Sequence, residues 1–242
     1  MREFFDSQSE SYPRFFSLQT HTGAACLFQH RLVRSAELLC GSHGTLLDCA
    51  SGTGEITRAV IANSQFERAV INDFSPRMIE RCREAFGEAM PAGSVTWTIH
   101  NVFDLGGIFR SGAFDVILCL GLIAHCGQFP RLMQEMSSLL KPGGTMLIQS
   151  SLLDHFSGRV VKYVAQSKLK RTNYVVESFY LKDILDEAKS AGFEVVTTDR
   201  FGLCLPFADR LLSPVNYWLE RKFMATRPPS GGEALILLRK TA

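Results

Sequence analysis

A run of small residues, Asp48-Cys49-Ala50-Ser51-Gly52-Thr53-Gly54-Glu55, follows the apolar pair Leu46-Leu47 and precedes a segment of helical period. Such a turn aims backbone N–H groups at a ligand with little side-chain bulk in the way, which suits a nucleotide-like molecule. Asp73 stands about 20 residues beyond the turn, where a carboxylate can accept hydrogen bonds from both hydroxyls of a ribose. Asp48, at the mouth of the turn, is expected beside a ligand ammonium group. A dinucleotide fingerprint needs a further glycine three residues after Gly54, and Thr57 holds that place, which argues against nicotinamide chemistry. Taken singly, the turn also reads as a strand-to-helix connection without a ligand, and Asp73 as a charge favoured at a helix N-terminus.

The candidate for proton transfer is His125, in Gly121-Leu122-Ile123-Ala124-His125, because an imidazole changes charge near neutral pH. A histidine that starts a helix or caps a loop looks the same in sequence. His21, His30, His100 and His155 read as structural or surface residues, and no spacing of histidine and cysteine supports a metal site. The seven cysteines are scattered without a C-x-x-C pair, as buried free thiols in a reducing cytoplasm are.

The elements that must position these residues alternate. Apolar runs at 45–50, 68–73, 95–100, 114–119, 145–150, 193–198 and 234–239 predict seven strands, and segments of helical period fall between them. That order predicts an α/β fold, a doubly wound, seven-stranded, mostly parallel sheet covered by helices. Phe129, Leu132, Met133, Met136, Leu139 and Leu140 form one apolar helical stripe, and Leu181, Ile184, Leu185 and Ala188 another. Ser75-Pro76 reads as a helix cap and first helical residue, and Gly192 as a helix stop.

The chain is expected to be one domain, with an N-terminal helical cap over 1–40, a core over 45–200, a helical insertion over 201–232 and a last strand over 233–242. Two segments exceed a minimal sheet. Residues 156–176 carry Arg159, Lys162, Lys168, Lys170 and Arg171 among valines, which predicts a basic amphipathic helix and loop. Phe207, Leu211, Leu212, Val215, Trp218 and Leu219 form an apolar stripe that Ser213-Pro214 interrupts as a new helix start.

In order and spacing, four pieces resemble the class I, Rossmann-like S-adenosylmethionine-dependent methyltransferases. They are Leu47-Asp48-x-Ala50-x-Gly52-x-Gly54, Asn72-Asp73-Phe74-Ser75-Pro76-x-Met78, Phe114-Asp115-Val116-Ile117-Leu118-Cys119 and Leu140-Lys141-Pro142-Gly143-Gly144-Thr145, within a similarity spanning 46–150. The resemblance implies S-adenosylmethionine as cofactor, with Ala50, Ser51, Gly52 and Gly54 around it and Asp73 on the ribose. It places Phe74 and Met78 beside the adenine, Asn101 where the family often has an aspartate near the adenine amino group, and Val102 among the cofactor-binding residues. Leu120 and Gly121 would line the methionine end. Ala50 replaces the family's usual glycine, an addition of one methyl group that the local φ must tolerate.

A formal charge of +2 implies neither a nucleic acid nor an anionic membrane as partner, so any basic patch must be local. The N-terminus lacks the pattern of a secretory signal, and no stretch reads as a membrane span. The Asn/Asp-Pro-Pro-aromatic sequence of many nucleobase and protein-amide methyltransferases is replaced by Leu118-Cys119-Leu120-Gly121, leaving RNA a minor alternative carried by Lys168, Lys170 and Arg171. Acceptor choice is expected to reside in the insertions and in the N-terminal Phe4, Phe5, Tyr12, Phe15 and Phe16. Their aromatic and aliphatic content points to a small apolar or aromatic acceptor such as a natural-product intermediate, a quinone or a lipid-like molecule. A homodimer contact is an alternative use of the 207–223 stripe. A catalytically silent S-adenosylmethionine sensor or partner subunit is the competing function, because methyl transfer has no obligatory catalytic residue.

Overall fold

Leu46 and Leu47 are both fully buried, each in a different apolar cluster, so the strand that carries them is covered on both faces. The computed structural model describes residues 6, 9, 20–87, 89–91, 93–169, 177–203, 208–226 and 230–241. The N-terminal aromatics, the basic pair Lys170 and Arg171, Cys204 and Phe207 lie outside them.

Helix α1 (Gly23–Leu38) leads into β1 (His43–Asp48), α2 (Glu55–Ala62), β2 (Gln65–Asn72), α3 (Pro76–Phe86) and β3 (Val95–Thr98). A 3-10 turn (Val102–Gly107) then precedes β4 (Phe114–Cys119), α4 (Phe129–Leu139), β5 (Leu140–Ser151), α5 (Phe156–Leu169) and α6 (Leu181–Ser190). The chain closes with β6 (Phe193–Phe201), α7 (Ala208–Ala225) and β7 (Glu233–Lys240). The seven strands form one sheet in the order β3-β2-β1-β4-β5-β7-β6. Strands β1 to β5 run parallel to one another, and β7 runs antiparallel to both β5 and β6. The strand order reverses between β1 and β4, the place where open α/β sheets bind ligands beyond the strand carboxyl ends.

One cluster packs α4, α6 and the 3-10 turn against Leu47, Ile117, Met146 and Ile236. The other packs α1, α2 and α3 against Leu46, Leu118, Leu147 and Leu235. Alternate residues of each buried strand thus feed opposite layers, as the pleat requires.

Ser75 caps α3, its hydroxyl accepting from Met78 N–H at 3.2 Å, with Pro76 in the first turn. Ala191 and Gly192 close α6 through bonds to the carbonyls of Glu187 and Lys189. The Ser213-Pro214 break is a kink, with Leu212 at φ −141° inside α7. α5 is pressed onto the end of β5 at Gly158, where a Cβ would stand 1.8 Å from the Leu152 carbonyl oxygen. α1 is held to the antiparallel edge by two ion pairs, Arg31 with Glu233 and Arg34 with Asp199, at 2.6 and 2.7 Å.

Candidate functional site

Beyond the carboxyl ends of β1, β2 and β4 lies a cleft that opens to solvent. The glycine turn supplies one wall through Ala50 and Gly52, and the end of β2 supplies Asp73, Phe74 and Met78. Asn101 and Val102 come from the 3-10 turn, and Leu120, Gly121 and His125 from the loop after β4. Ten of the sequence-predicted residues therefore meet at one cavity.

The other three stand behind it. Asp48 is buried, its carboxylate accepting from Ala50 N–H at 3.2 Å and from the Thr57 hydroxyl, and it does not line the cleft. It braces the turn from below. Burial pushes its carboxyl up to about 7 despite both hydrogen bonds. Thr57, at the position a dinucleotide fingerprint gives to glycine, is the residue that holds it. Ser51 lies within the turn, its N–H bonded to the Asn72 carbonyl at 2.9 Å. Gly54 faces α3: it sits at φ +82°, and a Cβ there would stand 2.3 Å from Cys82 Sγ. The absence of a side chain there lets α3 pack against the turn. Ala50, by contrast, does not have a positive φ, so its methyl group is accommodated.

Asp73 joins the walls. Its Oδ2 accepts from Gly52 N–H at 3.0 Å and its Oδ1 from Ser75 N–H at 2.9 Å. A carboxylate has about four acceptor positions, so capacity for a hydroxyl remains on this cavity-lining group. Burial raises its pKa, opposed by the backbone donors. Asn101 uses its side-chain oxygen to cap the 3-10 turn, accepting from Phe103 N–H at 3.1 Å.

Sequence reasoning did not single out several residues of the site. Asn72 is one of them. Its amide donates to the carbonyls of Cys49 and His100 at 3.0 and 3.1 Å, and its oxygen accepts from Thr98 Oγ1 and His100 N–H at 2.9 and 3.1 Å. All four hydrogen-bonding positions of a buried amide are thereby used to clamp the ends of β1, β2 and β3. Gln149 is another: Oε1 accepts from Gly121 N–H at 3.0 Å and Nε2 donates to Glu233 at 3.2 Å. Glu233 in turn takes a bidentate pair from Arg31, so the loop that carries Gly121 is tied through β5 and β7 to α1. The signal available in sequence was a polar residue in each of two apolar strands. Cys49, His100, Phe103, Leu122 and Cys126 also line the cleft.

At the far end, burial lowers the pKa of His125, which keeps the imidazole neutral and able to accept a proton. Burial disfavours the thiolate form of the thiols that line the cleft. Cys126 is pushed up to about 11 by burial, and Cys49 rises through its contact with Cys119 and through burial. Glu177 N–H donates to Ala124 O at 2.8 Å, laying that segment beside the His125 loop. Among the described residues no cluster has the composition of a metal site, and no helix is long and apolar enough to cross a membrane.

A methyltransferase-domain family profile matches residues 46–144, the stretch that builds the turn, the Asp73 wall and β4. The demethylmenaquinone methyltransferase of Symbiobacterium thermophilum is 26% identical over 225 residues, covering 82% of this chain and 86% of that protein. Among solved structures, an S-adenosylmethionine-dependent methyltransferase of Thermotoga maritima has a TM-score of 0.66 at 18% identity, covering 99% of each chain. A chain from the complex of the Haloferax volcanii Trm112 methyltransferase activator with a methyltransferase has a TM-score of 0.69 at 18% identity, covering 98% of each chain.

Proposed function

From the premise that the chain belongs to the class I S-adenosylmethionine-dependent methyltransferases, we propose that it methylates a small aromatic or apolar acceptor of the quinol or phenol kind. The observation that carries this reading is the continuity of one mainly apolar cleft from Asp73 to His125. The name of the Symbiobacterium relative supports a quinone-like ring as acceptor.

S-adenosylmethionine, when bound, supplies a methyl group already activated on a sulfonium. What remains for this chain is alignment, exclusion of water and removal of the acceptor's proton. Gly52 would bring backbone close to the nucleoside, and Asp73 would accept from the ribose hydroxyls. Phe74, Met78 and Val102 would flank the base, with Asn101 at its edge. Leu120, and Gly121 held by Gln149, would border the methionine end. His125 takes the proton from an acceptor hydroxyl, a role its neutral imidazole suits.

The test is calorimetric titration with S-adenosylmethionine, S-adenosylhomocysteine and NAD, followed by a screen of hydroquinones, phenols and aliphatic acceptors for S-adenosylhomocysteine release. Binding of the first two with product from an aromatic acceptor is expected. Binding without product from any acceptor would make the chain a sensor or partner subunit.

A further inference from the structure

We propose that α5 and α7 together form a docking surface for an anionic lipid bilayer, which brings the mouth of the cleft to the membrane interface. α5 leaves the carboxyl end of β5, and α7 lies between the end of β6 and the start of β7. Glu233, the first residue of β7, pairs with Ser151, the last of β5, so both helices emerge at the end of the sheet that carries the cleft.

Each helix turns an apolar stripe outward. On α5 these are Phe156, Val160 and Tyr163, at spacings of four and three, with exposures of 55, 40 and 76%. On α7 they are Leu212, Val215 and Trp218, three apart, at 59, 50 and 57%. Exposed apolar side chains occur elsewhere on the chain, but those grouped along one helix face mark an interaction surface. The opposite faces are satisfied inside the protein. Ser157 and Gly158 are buried on α5, while on α7 Asn216 and Glu220 are buried, Glu220 accepting from Leu203 N–H at 2.8 Å. Ser213 bonds the His21 carbonyl at 2.9 Å and Tyr217 packs edge-on against the His21 ring, which fixes the roll of α7.

Among the described side chains of the two helices, the outward charge has one sign. α5 contains no acidic residue. Its described cations are Arg159 and Lys162, and α7 exposes Arg221 and Lys222, the latter 5.9 Å from the Trp218 ring centre. The sole acid among the described side chains of α7, Glu220, faces inward. Outward Trp, Tyr and Phe interleaved with Lys and Arg match the headgroup level of a bilayer, where aromatic rings and anionic lipids are met together. The near-neutral charge of the whole chain is compatible with this, because the basic side chains that matter are local.

The test is flotation of the whole protein with vesicles of phosphatidylcholine alone or with one quarter phosphatidylglycerol, which requires no knowledge of the acceptor and so stands or falls apart from it. Binding at least tenfold stronger to the anionic vesicles is expected, weakened at high salt, with a blue shift of tryptophan emission. Tyr163→Ser with Trp218→Ser, and separately Arg221→Glu with Lys222→Glu, are expected to lower partitioning at least tenfold with S-adenosylhomocysteine affinity unchanged. Equal recovery with neutral and anionic vesicles, or undiminished binding of both variants, overturns the proposal. So does a wild-type dimer that binds no vesicle and that the aromatic variant converts to a monomer, an outcome that would assign the face to a second copy of the chain.

Discussion

Asp73 and Gly52, twenty-one positions apart, are joined by a 3.0 Å hydrogen bond from the Gly52 amide to the Asp73 carboxylate. One side chain thus fixes the glycine turn, the first turn of α3 and a polar point on the cleft wall. An asparagine at position 73 has only one oxygen to offer the two backbone donors and presents an amide N–H₂ to the other. Asp73→Asn is expected to weaken S-adenosylhomocysteine binding by roughly 1 to 3 kcal/mol, about 5- to 150-fold. Calorimetry checks this, and unchanged affinity would remove Asp73 from the site.

Gly54 is constrained twice, by its φ of +82° and by Cys82 against it. Gly54→Ala is expected to cost about 2 kcal/mol or more in unfolding free energy, from left-handed strain together with the clash. Adding Cys82→Ala should restore part of the loss, because it removes the clash and leaves the strain. A denaturant series on the two variants measures the split, and no recovery in the double variant would mean that the contact is unimportant.

Asp48 carries a pH signature. Its folded pKa, raised by burial to about 7 from 3.8, means that between those values the folded protein holds a proton that the unfolded chain has released. Its stabilising contribution is complete below pH 3.8 and is lost as pH rises through 7, and the raised Asp73 adds to the same slope. Asp48→Asn should therefore gain stability relative to the parent steadily from about pH 4 to pH 7. Chemical denaturation at four pH values reads this difference, and a constant offset would refute it.

His125→Asn is expected to lower kcat by about 10²- to 10⁴-fold on a hydroxyl acceptor while leaving S-adenosylhomocysteine affinity nearly unchanged. The parent's rate should fall on acidification only below the usual imidazole range, because burial lowers this pKa. The variant should lack that acid limb. If kcat and its pH profile are unaltered, His125 only lines the cleft.

Gln149 connects Gly121 to the Glu233–Arg31 pair. Gln149→Leu leaves the Gly121 amide without its partner and one bond of a buried carboxylate unmade, at a cost of roughly 2 to 4 kcal/mol for the two groups. Thermal unfolding measures the stability. A larger effect on S-adenosylmethionine binding than on overall stability would identify Gln149 as a positioning residue for the loop.

Where the sequence was readable, the reason was local. The glycine turn, the Ser75 cap and the alternating apolar strands each declare themselves within about ten residues, since turn geometry, capping and pleat periodicity are short-range properties. The Ser213-Pro214 break was legible for the same reason, as proline cannot donate within a helix. Asn72 and Gln149 were opaque, because their partners lie on strands whose adjacency nothing nearby in the chain announces.

By itself the sequence determined the α/β alternation, the mostly parallel sheet, the position of the turn and the carboxylate at the end of β2, because these follow from backbone propensity and burial along the chain. Only the tertiary structure decided which way the turn's residues face. Asp48 and Gly54 belong to the same motif as Gly52, yet the packing of α3 through Cys82 and the reach of Thr57 turn them away from the cleft. The outward stripes of α5 and α7 were likewise visible as apolar spacing, but only the packing of the opposite faces showed which stripes the fold leaves to solvent. An apolar pattern states that a face prefers to leave water, and which surface covers it depends on contacts between residues distant in the chain.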